Sequence, residues 1–227
     1  MTFVIILIII AIGAYLYFKK SGDSSALKSL YKGRTQEQKE AIRYFVADGC
    51  LAKTITDAQY DEMVRKKVDG LKLREKAIAK IGLDESEIQE IAPVNLEGFR
   101  FDKAYSKYGK DKLWRTSKYE VTWIFASNKQ LYAYSYMFNT DEDGKRERTE
   151  EYFWKDITNF STVTETREVG IDWDSKKGEY KGKKNVDEQD FAIVVPGDKY
   201  VCAAEVSDNV ERAIQAMKAK LREKKSA

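Results

Sequence analysis

Histidine is absent from the 227-residue chain, and its absence excludes several kinds of active site. Without an imidazole, the protein cannot form Ser-His or Cys-His nucleophile pairs, nor a zinc site that uses histidine. The sequence also lacks a phosphate-binding glycine loop. We therefore predict no catalytic residue, no metal site and no cofactor, and we predict that the protein is not an enzyme.

Cysteine and proline are also scarce. The two cysteines, Cys50 and Cys202, lie far apart in the sequence, so we expect no disulfide framework, which fits a reducing compartment. Pro93 and Pro196 are the only two prolines, so turns and loops must be formed mainly by Gly, Asn, Asp and Ser.

The charges nearly balance, with 40 Lys and Arg against 37 Asp and Glu. The formal net charge of +3 is too small to indicate nucleic-acid binding, and no nucleic acid is expected as a partner. Charged residues make up 34% of the chain and hydrophobic residues 43%, which is typical of a folded body and not of a disordered tail.

One long hydrophobic run is present, at residues 2–18 (TFVIILIIIAIGAYLYF), and Lys19 and Lys20 follow it. A charge-free run of this length predicts a single transmembrane helix, which we assign to residues 1–20. Cations follow this run and none precedes it, which predicts an outside N-terminus and a cytoplasmic body at the cell membrane. The alternative is a cleaved signal peptide, but the basic segment that normally precedes the apolar run is missing.

A polar linker is predicted over residues 21–34 and a helical segment over residues 35–92. Thr35 with Gln38, and Thr56 with Gln59, have the spacing of capping boxes that open helices. Apolar residues then recur at helical spacing, so two antiparallel helices are predicted over residues 35–81. Gly70 marks a possible bend in the second helix.

Part of this segment resembles SHOCT modules, which are short helical hairpins of bacterial proteins. The residues that carry the resemblance are Gly49, Ile55, Thr56, Gln59, Tyr60 and Lys66 or Lys67. The spacing from Gly49 to Ile55 is longer than in the family, and Gln59 stands where an acid is usual. The resemblance implies a bacterial protein with an oligomerising or scaffolding role, and a generic helical hairpin is the alternative.

From residue 93 to residue 227 the pattern predicts a β-rich domain that ends in a helix. Asp84 is expected to cap a short helix that Pro93 stops. Alternating aromatic and branched residues then predict strands, with a basic loop at residues 175–184. The predicted strands cover residues 94–101, 119–127, 131–138, 149–154, 160–169, 171–173, 191–195 and 199–204. After Ser207, an apolar stripe from Val210 to Leu221 predicts an amphipathic C-terminal helix.

The order of strands and final helix resembles bacterial pleckstrin-homology-like and GRAM-like domains. The stretch at residues 152–160 (YFWKDITNF) and the helix at residues 210–221 carry the resemblance. The fold class that follows is α+β: one N-terminal transmembrane helix, a helical hairpin, and an antiparallel PH-like sheet or barrel closed by the C-terminal helix.

Basic and aromatic residues interleave between Lys103 and Tyr119. In PH domains that bind phosphoinositides, the first hairpin supplies such cations. The resemblance therefore implies an anionic-ligand site at Lys103, Lys110, Lys112 and Arg115. Lys112 stands where the family usually has arginine, and a lysine lacks the bidentate grip on phosphate. The alternative is an ordinary solvated loop.

A second aromatic cluster, Tyr132, Tyr134 and Tyr136, lies on one face of a predicted strand. We expect this face to be buried in a core, with a stacking platform for bases as the alternative.

The function predicted from these features is a single-pass, membrane-anchored, non-enzymatic binding or scaffold module. Its expected partners are the lipid bilayer, anionic lipid headgroups at the inner leaflet, a protein partner, or a second copy of the chain. The alternative is an exported or membrane-bound enzyme with a carboxylate or lysine site that carries no recognisable motif.

Overall fold

The computed structural model describes residues 25–47, 54–88, 91–174, 177–205 and 207–226. Within these ranges the fold is α+β, with a helical segment followed by nine strands and a final helix. The helices are α1 (Ser25–Leu30), α2 (Gln36–Val46), α3 (Asp57–Leu71), α4 (Leu73–Ile81) and α5 (Asp208–Ser226). The strands are β1 (Ile91–Phe99), β2 (Ser106–Tyr108), β3 (Trp114–Thr116), β4 (Lys118–Ala126), β5 (Gln130–Asn139), β6 (Lys145–Phe153), β7 (Asn159–Asp174), β8 (Glu179–Val195) and β9 (Asp198–Ala203).

The described strands form three antiparallel sheets. The central sheet has the strand order β1-β4-β5-β6, the second has the order β7-β8-β9, and β2 and β3 form a separate hairpin. Residues 159–174 of β7 pair with residues 179–194 of β8, whereas β9 pairs with β8 only over residues 190–195. The rest of β7 and β8 therefore forms a long two-stranded arm.

The central sheet separates two hydrophobic cores. Val121 and Phe125 of β4 join the core shared with helices α1 to α4, whereas Ile124 and Ala126 join the core shared with the second sheet and α5. This follows from the two-residue period of a strand, because successive side chains point to opposite faces. The tyrosine face of β5 lies under the helices, with Tyr134 and Tyr136 buried, so the prediction of a core face is confirmed.

An aromatic cluster joins the helices to the central sheet. The rings of Tyr44 and Tyr60 stack at 4.5 Å, and Phe45 meets Tyr60 edge-on at 5.0 Å. Tyr60 is fully buried, and its hydroxyl lies 2.8 Å from the carbonyl oxygen of Thr116 and 2.9 Å from Oγ1 of Thr140. One α3 side chain therefore connects the end of β3 and the residue after β5 to the helical layer.

The helix starts predicted from the sequence are confirmed, whereas the predicted bend is misplaced. Thr35 and Thr56 both form complete capping boxes at the starts of α2 and α3. The helix breaks at Lys72, which adopts a left-handed conformation with φ of 47°, and not at Gly70. The short helix α1 lies inside the predicted linker, residues 21–34.

The predicted fold class requires correction at its first element. The predicted anchor, residues 1–20, lies outside the described residues. Across the helices that the structure does describe, none is both long enough and apolar enough to cross a membrane. The fold class is therefore corrected to α+β for the described residues, with no membrane-spanning helix among them.

The second correction concerns the single PH-like sheet or barrel. The β-rich part is divided into three sheets, and helices α1 to α4 pack on one face of the largest. The amphipathic C-terminal helix itself is confirmed, because Ile214, Met217 and Leu221 of α5 are buried in the second core.

Two strand boundaries also differ from the prediction. Most of the predicted basic loop, residues 175–184, belongs to β8, because the arm continues to pair up to Asp174 and Glu179. Pro93, predicted to stop a helix, lies within β1, where the pairing shifts between Ile91 and Val94. Strand β1 lies at the edge of its sheet, where a proline and an irregular pairing are tolerated.

The buried hydroxyl of Tyr60 gives a test of this arrangement. We expect Tyr60→Phe to lower the free energy of unfolding by about 1–3 kcal/mol, because the buried oxygens of Thr116 and Thr140 lose a partner. Tyr132→Phe is the matched control, since its hydroxyl bonds the side chain of the nearby Gln130 at 3.0 Å, and it should change stability by less than about 0.5 kcal/mol. Chemical denaturation measures both values, and equal losses would contradict the structural role of Tyr60.

Candidate functional site

The β2–β3 hairpin presents the most exposed apolar surface in the described chain. Leu113 is 56% exposed and Tyr108 is 45% exposed. Phe153 is the third large hydrophobic residue of the described ranges that is exposed, and it lies elsewhere, at the end of β6. Clustered exposed apolar residues are more informative than single ones, because they often mark a contact surface.

The base of the hairpin is held by the long arm. The backbone N–H of Ser106 donates to the hydroxyl of Tyr180 at 2.9 Å, and the Ser106 hydroxyl donates to the carbonyl oxygen of Gly170 at 2.7 Å. Gly170 must lack a side chain here, because a Cβ atom would lie 2.2 Å from the Tyr180 ring. The tip of the β2–β3 hairpin therefore projects from a base that hydrogen bonds hold against the arm.

Arg115, one of the four residues predicted to bind an anionic ligand, points inward. Its side chain is only 3% exposed. Its guanidinium donates to both carboxylate oxygens of Asp61 at 2.6 Å and to Asp111 Oδ2 at 2.6 Å. Hydrogen bonds from Arg115 lower the pKa of Asp111 to about 2. Arg115 thus fixes the hairpin to α3 with its positive charge already balanced.

The three predicted lysines remain at exposed positions. Lys110 and Lys112 lie at the hairpin tip, where Lys112 takes a left-handed turn conformation with φ of 66°. The backbone N–H of Lys110 donates to Asp57 Oδ2 at 2.8 Å, and the residue itself is exposed to solvent. Lys103 occupies another left-handed position, with φ of 49°, in the turn before β2. The structure therefore separates Arg115 from the exposed lysines.

Lys184 of β8 joins the hairpin, although the sequence placed it in a different loop. Its Nζ atom lies 4.7 Å from the centre of the Tyr108 ring and 5.7 Å from the Trp114 ring. These two rings are 5.1 Å apart. We call Tyr108, Lys110, Lys112, Leu113, Trp114 and Lys184 the tip cluster. No sequence signal indicated this contact, because Lys184 and the hairpin residues lie far apart along the chain.

A groove lies beside the tip cluster, between α3 and the helix-facing side of β1 and β4. Its volume is about 500 Å³, and Leu113 and Trp114 form part of its wall. Arg65 and Asp69 line it from α3, whereas Glu97 lines it from β1. The groove is large enough for a small molecule, since such sites measure roughly 300–1,000 Å³.

A third feature is a group of buried carboxylates around Arg100. The guanidinium of Arg100 lies 3.3 Å from Glu188 and 3.6 Å from Glu120, and it also donates a hydrogen bond to Asp190. Burial raises the pKa of Glu120 and of Asp190, and the positive charge of Arg100 opposes both shifts. Glu120 also accepts a hydrogen bond from the backbone of Ala203 at 2.9 Å. The cluster is an ion-paired joint between the central sheet and the arm.

Nothing else in the described chain indicates a metal or thiol site. The residues that the structure describes contain no group of three or more acids or cysteines able to hold a metal ion. Cys202 is fully buried, and burial raises the pKa of its thiol far above the ordinary range.

Comparisons with protein-family models, with curated proteins and with solved structures produced no match to this chain. The resemblances to PH-like, GRAM-like and SHOCT modules therefore stay predictions from the sequence.

The Arg100 cluster makes a prediction about stability and pH. Arg100→Met should cost about 3–5 kcal/mol at neutral pH, because it leaves buried carboxylates without their counter-charge. A carboxyl group with a raised pKa binds protons more tightly in the folded state, so the stability of the variant should rise as pH falls from about 7 toward 5. Urea unfolding across that pH range measures the effect.

The control for this prediction is Arg74→Met, which removes an exposed ion pair with Glu85 at 2.9 Å. It should cost less than about 1 kcal/mol at any pH in the range. A loss in Arg100→Met that grows as the pH falls would show that the carboxylates are not the source of the instability.

Proposed function

We propose that this protein is a non-enzymatic binding module whose tip cluster contacts an anionic lipid surface. The observation that carries the proposal is the combination of exposed Leu113 and Tyr108 with two lysines on the supported hairpin and Lys184 of the adjacent strand β8. Apolar and aromatic side chains favour the interfacial region of a bilayer, and cations favour its negative charge.

The lysines fit a charged surface better than a single stereospecific headgroup. Lys110 and Lys112 act as point charges, and the one arginine of the predicted site, Arg115, is occupied by Asp61 and Asp111. Each lysine near an anionic leaflet contributes about 1 kcal/mol. Binding should therefore follow the surface charge of the membrane and weaken with salt.

Leu113 supplies the apolar part of the contact. Full burial of a leucine side chain is worth about 1.5–3 kcal/mol, and more than half of this side chain is exposed. Trp114 and Tyr108 lie beside it and suit the headgroup level. These modest contributions to the binding free energy add up because the arm and Arg115 already hold the hairpin in place. Little conformational entropy is therefore lost when the hairpin contacts the membrane.

Location at the cell membrane is part of this proposal and rests on the sequence. Residues 2–18 are apolar and free of charge, and such a run keeps a protein near lipid. Cell fractionation of the full chain measures the location, with recovery in the membrane fraction as the expected result. Recovery in the soluble fraction would contradict it.

The tip cluster is tested with an environment-sensitive dye on the full chain reconstituted in vesicles. The dye is attached through Leu113→Cys in a Cys50→Ser background, where the buried Cys202 stays unlabelled. We expect a blue shift of the dye emission when the vesicles contain phosphatidylserine, and a smaller shift when Lys110, Lys112 and Lys184 are all changed to serine. Added salt should also reduce the shift, because it screens exposed charges.

The matched control carries the dye through Phe153→Cys, since Phe153 is comparably exposed but lies outside the tip cluster. Its emission should not respond to phosphatidylserine. Equal shifts at both positions, or no shift at residue 113, would overturn the lipid contact and favour a protein partner for the hairpin.

A further inference from the structure

The groove beside α3 combines aromatic rings with carboxylates. Phe99 of β1 and Tyr119 and Trp123 of β4 line the sheet side, and Trp114 lines the hairpin end. Phe99 and Tyr119 meet edge-on, with their ring centres 5.0 Å apart. Aromatic faces carry negative charge density and attract cations.

Two carboxylates lie together at the edge of the sheet, and both line this groove. The backbone N–H of Glu205 donates to the carbonyl oxygen of Glu97 at 2.9 Å, which places the segment after β9 against β1. Burial raises the pKa of Glu97, and the nearby charges of Glu205 and Asp69 raise it further, against the opposing effects of Asn95 and Arg65. In the described ranges, no lysine or arginine forms an ion pair with Glu97.

Several of the groove's own cations are already engaged. Arg115 is balanced by Asp61 and Asp111, and Arg74 pairs with Glu85 outside the groove. Two other cations line the groove, Arg65 and Lys72. Four further acids line it as well: Asp69, Glu75, Glu97 and Glu205. The groove therefore has a net negative charge beside an aromatic floor.

We propose that this groove binds a small organic cation of the alkylammonium type, with the cation beside Glu97 and Glu205 and its alkyl groups against Trp123 and Tyr119. The carboxylates supply charge, and the rings supply contact area together with cation–π attraction. The volume of about 500 Å³ suits a ligand of the size of choline. This site is separate from the lysines of the tip cluster, which favour the opposite charge.

The test follows the indole N–H signals of the full chain by NMR during titration with choline. Trp114 and Trp123 line the groove, whereas Trp154 and Trp173 lie elsewhere and serve as internal controls. We expect saturable shifts of the Trp123 and Trp114 signals alone. The neutral isostere 3,3-dimethylbutanol should bind at least about tenfold more weakly, because it has the same shape without the charge.

Glu97→Gln keeps the shape of the side chain and removes its charge, and it should weaken choline binding about tenfold or more. Glu62→Gln is the matched control, because Glu62 lies on the exposed side of α3, pairs with Lys66 and does not line the groove. It should bind choline as the wild-type chain does. An unchanged thermal unfolding curve for Glu97→Gln establishes that the loss is local.

The cation could be free or part of a lipid headgroup, and glycerophosphocholine distinguishes these sources. Tighter binding of glycerophosphocholine than of choline would indicate a headgroup, and the reverse would indicate a free cation. The proposal is overturned if neither compound shifts the Trp123 signal, if the neutral isostere binds as well as choline, or if Glu97→Gln and Glu62→Gln behave alike.

Discussion

Burial of both faces of the central sheet is the constraint on which the rest of this structure depends. Strands β4 and β5 carry large apolar side chains toward both sides, so each face needs its own cover. The helical segment covers one face, and the second sheet with α5 covers the other. Because most of the sheet is used as a core, the surfaces left for contact are the groove beside α3 and the hairpin next to it.

Ion pairing then determines which cationic side chains remain available for contact with a partner. Arg100 and Arg115 are both mostly buried, and each is paired with at least one carboxylate from another element of the fold. These arginines join the central sheet to the arm and the hairpin to α3. The lysines of the tip cluster are left at the surface, where a flexible ammonium group remains hydrated. The two buried arginines therefore have a structural role, whereas the exposed lysines of the tip cluster are available to a partner.

The tip cluster and the groove share a wall, since Leu113 and Trp114 belong to both. The hairpin tip presents cations, whereas the groove beside it has an excess of acids. A surface that approaches the tip would therefore bring its own groups close to the groove. Arg115 holds this geometry, because its contacts with Asp61 and Asp111 fix the hairpin relative to α3.

The sequence by itself determined the local elements whose signals lie within a few residues. The capping boxes at Thr35 and Thr56, the alternating residues of the strands predicted at 119–127 and 131–138, and the apolar stripe of α5 are all such signals. Tertiary structure alone decided that Arg115 turns inward, that Lys184 reaches the hairpin and that Glu97 meets Glu205, because each depends on residues tens of positions apart. It also decided the length of the β7–β8 arm, because the buried or partly buried positions of β8 include Gly182, Glu188 and Asp190, and these residues give no apolar alternation for a sequence pattern to show.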